Sequence, residues 1–84
     1  MDKVIKVILL INNERLISEI VEIGADVGEP DCRLIKPHII CESTLTPWMV
    51  NDTNQTEFMI SSDKIITIAD PKPDLLEKYL EKIN

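Results

Sequence analysis

The chain has 84 residues, fifteen acidic and nine basic, for a formal net charge of -6, and no apolar run in it approaches the ~20 residues of a membrane-spanning helix. One domain of this length buries roughly 60% of the surface it exposes when unfolded, so a disulfide, a structural metal or self-association is expected to support it. The basic residues are scattered, which weighs against general nucleic-acid binding.

In chain order, Val4–Ile11 (VIKVILLI) is apolar and β-branched and reads as a strand that ends at Asn12-Asn13, a hairpin turn signal because asparagine tolerates positive φ. Arg15–Ile23 (RLISEIVEI) reads as the second strand; Leu16, Ile20 and Ile23 also fit a helical stripe, but the β-branched residues and Gly24 favour a strand. Gly24–Asp31 (GADVGEPD) holds both glycines and is a connection. Cys32–Cys41 (CRLIKPHIIC) is the third strand, kinked at Pro37, which cannot donate to a ladder.

The segment 42–55 carries the only tryptophan and reads as partly extended, then turning around Asn51–Gln55. Thr56–Ser61 (TEFMIS) is a fourth strand, Ser61-Ser62-Asp63 a tight corner, and Lys64–Ala69 (KIITIA) a fifth. From Asp74 to Ile83 the residues Leu75, Leu76, Tyr79, Leu80 and Ile83 form one apolar stripe of a helix, with Pro73 in its first turn. The expected fold is thus mainly β: a small, strongly bent five-stranded barrel over about residues 3–69, with a C-terminal helix over about 73–83, in a single domain spanning 1–84.

With no apolar leader read at the N-terminus, an intracellular setting is expected and Cys32 and Cys41 are expected to be free thiols. Asn51-Asp52-Thr53 and Asn54-Gln55-Thr56 fit the glycosylation pattern, which has meaning only in a secreted chain; they read as a polar loop. No nucleophile with a base and no paired carboxylates stand out, so a non-enzymatic protein without cofactor is expected. Cys32, His38 and Cys41 are the best metal candidates, but His38 and Cys41 point to opposite faces of a strand and two ligands fall short of a structural site, so no metal is expected. Trp48 and Met49, with Leu45 and Pro47, read as a contact surface, either for a partner or buried under the helix or a subunit seam.

Two stretches carry a family resemblance. LINNERLISEIVEI (Leu10–Ile23) resembles the first motif of the Sm-like (LSm and Hfq-like) family, with Asn12 at its asparagine, Asn13 at its first glycine, Leu16 and Ile20 at apolar positions and Ser18 at its second glycine. ISSDKIITI (Ile60–Ile68) resembles the second motif, with Ile60, Ile65 and Ile68 at the apolar positions of a strand–turn–strand. The Pro-rich link into a C-terminal helix is similar to small Sm-like proteins apparently encoded by marine phages, whereas family members usually begin with a helix.

The resemblance implies an Sm-like (SH3-type) barrel whose fourth strand pairs with the fifth strand of the next subunit, closing a homo-oligomeric ring of on the order of five to seven copies. Phe58, Ile60, Ile66 and Ile68 would then lie at the subunit interface. It also implies single-stranded RNA as a partner, in the cytoplasm of a bacterial or phage-infected host cell, held in the pore by the loop after the second strand and by the turn of the second motif. Those positions are Asp26, Gly28, Ser61, Ser62, Asp63 and Lys64 here, with Gly24 and Val27 at further loop positions. Ser61, Ser62 and Asp63 stand where the family has arginine, glycine and asparagine, so the RNA chemistry is degenerate; Asp26 and Asp63 read first as turn formers bonding the local backbone, and suit cations or basic peptide segments if both face the pore. A protein-binding or scaffold domain without RNA, with or without a ring, is the alternative.

Overall fold

The structure, a computed structural model, describes residues 3–42 and 44–84. Six strands follow one another, β1 Ile5–Leu10, β2 Arg15–Glu22, β3 Cys32–Cys41, β4 Thr44–Pro47, β5 Glu57–Ile60 and β6 Ile65–Ala69, and helix α1 spans Pro73–Ile83. The competing helical reading of 15–23 is thus resolved as strand, because its odd and even positions feed opposite faces of a sheet. The extended segment after β3 forms a short strand of its own, so six strands replace the expected five.

The strands make one antiparallel sheet in the order β4-β3-β2-β1-β6, and β5 also pairs with β3. Among the described residues the ladder does not close: β5 and β6 lie at opposite ends of the sheet and do not pair with each other, so the expected barrel closure is absent. No helix among the described residues is long and apolar enough to cross a membrane.

Asn13 accounts for the first hairpin. Leu10 and Glu14 bracket a three-residue loop in which the Asn13 N–H donates to the Leu10 carbonyl at 2.9 Å, and Asn13 takes φ +71°. This is a turn followed by a left-handed residue, one residue longer than a two-residue Asn-Asn turn. The Asn12 side chain accepts from the Glu14 N–H at 3.0 Å and fixes the loop.

The long β3 strand changes partner in mid-course. Its first half, Cys32–Ile35, pairs with β5, and its second half, His38–Cys41, pairs with β4 along the same edge. At the change-over Lys36 and Pro37 face the single residue Ser18 of β2, a β-bulge, and Lys36 adopts φ +52°. The Lys36 N–H donates back to Thr56 beside β5 at 2.7 Å, and the Pro37 carbonyl accepts from Trp48 beyond β4 at 2.9 Å. Pro37 has no N–H to strand at that junction, which is why proline is tolerated inside a strand paired on both sides.

Side chains close the bulge from within. The fully buried Ser18 hydroxyl lies 2.8 Å from the Glu19 carbonyl and 3.1 Å from that of Ile35. The Tyr79 hydroxyl, also fully buried, lies 2.9 Å from the Lys36 carbonyl and 3.2 Å from that of Ile35, and accepts from the Glu19 N–H at 3.3 Å. The helix therefore satisfies backbone groups that the bulge takes out of the ladder.

Strand alternation then divides the core. Ile8, Leu10, Leu16 and Leu34 fill one face, joined by Ile60 from β5 and Ile65 from β6, so both ends of the sheet bend toward one cluster. On the opposite face Ile17 and Leu45 meet Tyr79, with Leu75 and Ile83 one turn away on either side along α1. Pro73 opens that helix, Asp74 sits in its first turn and Lys82 in its last, as the helix dipole favours. Lys6 and Asp70 form an ion pair where the chain leaves β6 for the helix.

Replacing Tyr79 by Phe keeps the packing and leaves the Glu19 N–H and the bulge carbonyls short of a partner, so denaturant unfolding should show a loss of about 1–3 kcal/mol. Burial raises the Tyr79 phenol above its ordinary value. The folded state therefore holds the proton more tightly, and this contribution is complete below about pH 10 and is lost as pH rises through the folded value. Tyr79 is the only tyrosine, so tyrosinate absorbance reads it alone; the expected outcome is ionisation that coincides with alkaline unfolding, and titration at the ordinary value in an intact fold would contradict it.

Candidate functional site

The connection between β2 and β3 contains a β-turn from Asp26 to Glu29, closed by the Glu29 N–H on the Asp26 carbonyl at 3.0 Å. Gly28 occupies its third position with φ +89°, a conformation that a side chain would strain. The corner between β5 and β6 is one turn of 3-10 helix, Ser62–Lys64, closed by the Lys64 N–H on the Ser61 carbonyl at 3.0 Å. That turn leaves Ile60 and Ile65 on the same cluster while sending their strands to opposite ends of the sheet.

Asp31 ties the two loops together. One carboxylate oxygen accepts from the Ser62 N–H at 2.7 Å and the other from the Ser62 hydroxyl at 2.7 Å. These bonds hold the Asp31 carboxyl below its ordinary value. The neighbouring Cys32 thiol is buried and pushed up, first by burial and then by the Asp31 and Glu22 charges, so it is a poor nucleophile. Cys41 is a free, exposed thiol.

An open pocket of about 350 Å³ lies between the loops, and Asp26, Gly28, Ser61, Ser62 and Asp63 all line it. Residues far apart in the sequence, from the β2–β3 connection and the β5–β6 corner, thus line one pocket, while Lys64 does not line it and its carbonyl instead accepts from the Ile11 N–H at 3.0 Å. Glu29 and Asp31, with Ala25 and Val27, complete the lining, giving four carboxylates and no cation. The sequence reading passed over both; the only available signal for Asp31 was its place immediately before a buried strand. Among the described residues no group of three or more His, Cys, Asp and Glu side chains could hold a metal ion.

The remaining candidates separate. Ile66 and Ile68 lie exposed on the edge strand β6, and Ile60 is half-buried at the end of β5. Phe58 is half-buried and meets Trp48 edge to face, with ring centroids 5.3 Å apart. Trp48 packs on the cluster that contains Ile8 and Leu16, and Met49 beside it is exposed with φ +57°. His38 is buried with its ring against Tyr79 at 5.5 Å, and Cys41 is exposed, so the two are not joined at one site.

Residues 3–84 match the model of a family of unknown function, DUF6561. The chain belongs to this family. A comparison with curated proteins gave no match. The family match covers both loops and the helix, so the acidic pocket and the bulge lie wholly within the family domain.

Replacing Asp31 by Asn should free the corner turn from the β2–β3 connection. The Asp31 carboxyl is depressed in the folded state, so the latch is complete above its unfolded value of about 3.9 and is lost as pH falls through the lower folded value. In an amide NMR titration the Ser62 N–H should move with a midpoint below about 3.9, and in Asp31→Asn that titration should vanish; a Ser62 amide insensitive to acid would refute the latch.

Proposed function

We propose that this DUF6561 chain is a non-enzymatic, Sm-like ring-former, in which β5 of one copy pairs with β6 of the next and the assembled ring serves as an interaction platform. The observation that carries the reading is the pair of open sheet edges. Among the described residues β5 pairs only with β3 and β6 only with β1, so each leaves a row of backbone donors and acceptors unpaired. Beside them stand Met59, Ile66 and Ile68, 49%, 56% and 46% exposed.

The two edges differ, so their contact is heterologous, and repetition through a rotation that closes leaves no free edge. A small domain gains most from such closure. The chain exposes 5845 Å², against about 5,100 Å² expected for a folded monomer of its 9.6 kDa mass. A strand added to each edge covers the excess with hydrogen-bonded backbone and apolar side chains.

The ring's ligand follows from the charge of the loops. In the Sm-like arrangement these loops face the pore, and each copy contributes Asp26, Glu29, Asp31 and Asp63 without a cation. Repeated around a ring, such a field repels phosphate and attracts basic peptide segments. RNA bound at this position would have to overcome that field, so a basic protein segment is the preferred partner.

Light scattering across a concentration series should return a single mass several times the 9.6 kDa of one chain, unchanged on dilution and by a short uridine-rich RNA at low salt. Ile66→Lys, on an exposed edge position, should give the monomer mass while leaving the strand signal in circular dichroism intact. A wild-type monomer throughout the series would sink the ring, and a mass increase with RNA would overturn the peptide assignment.

A further inference from the structure

A second pocket, of about 250 Å³, opens where the bulge of β3, the end of β4, the start of β5 and the last turn of α1 meet. Its composition is the inverse of the acidic pocket. Lys36 and Lys82 line it together with Trp48, Phe58 and His38, and no carboxylate does, although the chain as a whole carries a net charge of -6. Among the described residues neither lysine has a carboxylate within ion-pair distance. Lys36 Nζ makes one long bond, 3.4 Å to the Ile83 carbonyl, and keeps its other donors free.

His38 gives the pocket a directed polar group. Its residue is 7% exposed, and its Nδ1 lies 2.9 Å from the Lys36 carbonyl. A carbonyl only accepts, so Nδ1 carries the hydrogen and the neutral ring offers Nε2 as an acceptor. Among the described residues Nε2 has no hydrogen-bond partner. Among the described residues no buried side-chain nitrogen or oxygen lacks a partner, so Nε2 is the open edge of the ring, where a ligand donor can reach it.

We infer that this pocket binds a small planar aromatic anion that carries a hydrogen-bond donor on its ring. The ring packs against Trp48 and Phe58, whose edge-to-face pair leaves aromatic surface open to the cavity. The anionic group meets Lys36 and Lys82, and the ring donor meets His38 Nε2. All of these groups come from one chain, so the site is complete in a monomer and does not depend on ring assembly.

The test is an NMR titration of the full chain with 6-hydroxy-2-naphthoate, reading the indole N–H of Trp48, the only tryptophan. A saturable shift is expected, weakened about tenfold or more for the neutral carboxamide of the same ring and for a Lys36→Gln/Lys82→Gln variant. Lys82→Gln alone, at an exposed helix position, should weaken binding without touching the bulge, which covers the case in which the double variant is less stable. Adenosine monophosphate binding more tightly than the naphthoate would support the site and identify the anion as a phosphate. No saturable shift with any of these ligands, or equal affinity for carboxylate and carboxamide, would overturn the inference.

Discussion

The structure turns on the Tyr79 hydroxyl and the backbone of the β3 bulge. Lys36 sits in the left-handed region and Pro37 supplies no donor, so without the helix this part of the strand would leave carbonyls and the Glu19 N–H without partners. One phenol oxygen serves both sides of the gap, donating to the strand carbonyls and accepting from Glu19. A left-handed non-glycine residue costs on the order of 1–3 kcal/mol, and it persists here because four elements converge on it.

The architecture follows from that bulge. Because β3 releases β5 at Lys36 and takes up β4 at His38, one strand serves two short neighbours on the same edge. The sheet can then bend enough for Ile60 and Ile65, from its opposite ends, to share a cluster with Leu16 and Leu34. Bending without closing leaves β5 and β6 as edges. The same junction also shapes the cationic pocket, since Lys36, Pro37 and His38 form one wall of it.

Legibility in the sequence followed the range of the interactions. Alternation and β-branching marked β1, β2, β3 and β6 because those signals depend on immediate neighbours. The tight corner read at Ser61–Asp63, which forms one 3-10 turn at Ser62–Lys64, and the helix read over Asp74–Ile83 were legible for the same reason. Pro37 announced an irregularity in β3 but not its form, because a bulge is defined by which residue of β2 stands opposite. Thr44–Pro47 has only four residues and little alternation, and becomes a strand through pairing with Ile39 and Ile40. Asp31 gave only the weak sign of standing immediately before a buried strand, since its partner Ser62 lies 31 positions away.

By itself the sequence determined that the chain would be a mainly β domain with a C-terminal amphipathic helix, because periodicity and turn chemistry act over a few residues. Its likeness to a pair of motifs also brought Asp26, Gly28, Ser61, Ser62 and Asp63 under notice, five residues that line one pocket. Only the tertiary structure decided that the sheet stays open, that four carboxylates share one pocket and that two lysines and a buried histidine share another. Charge sign is written in composition, but its sorting into opposed pockets depends on strand register and on where the helix docks, which no local stretch encodes.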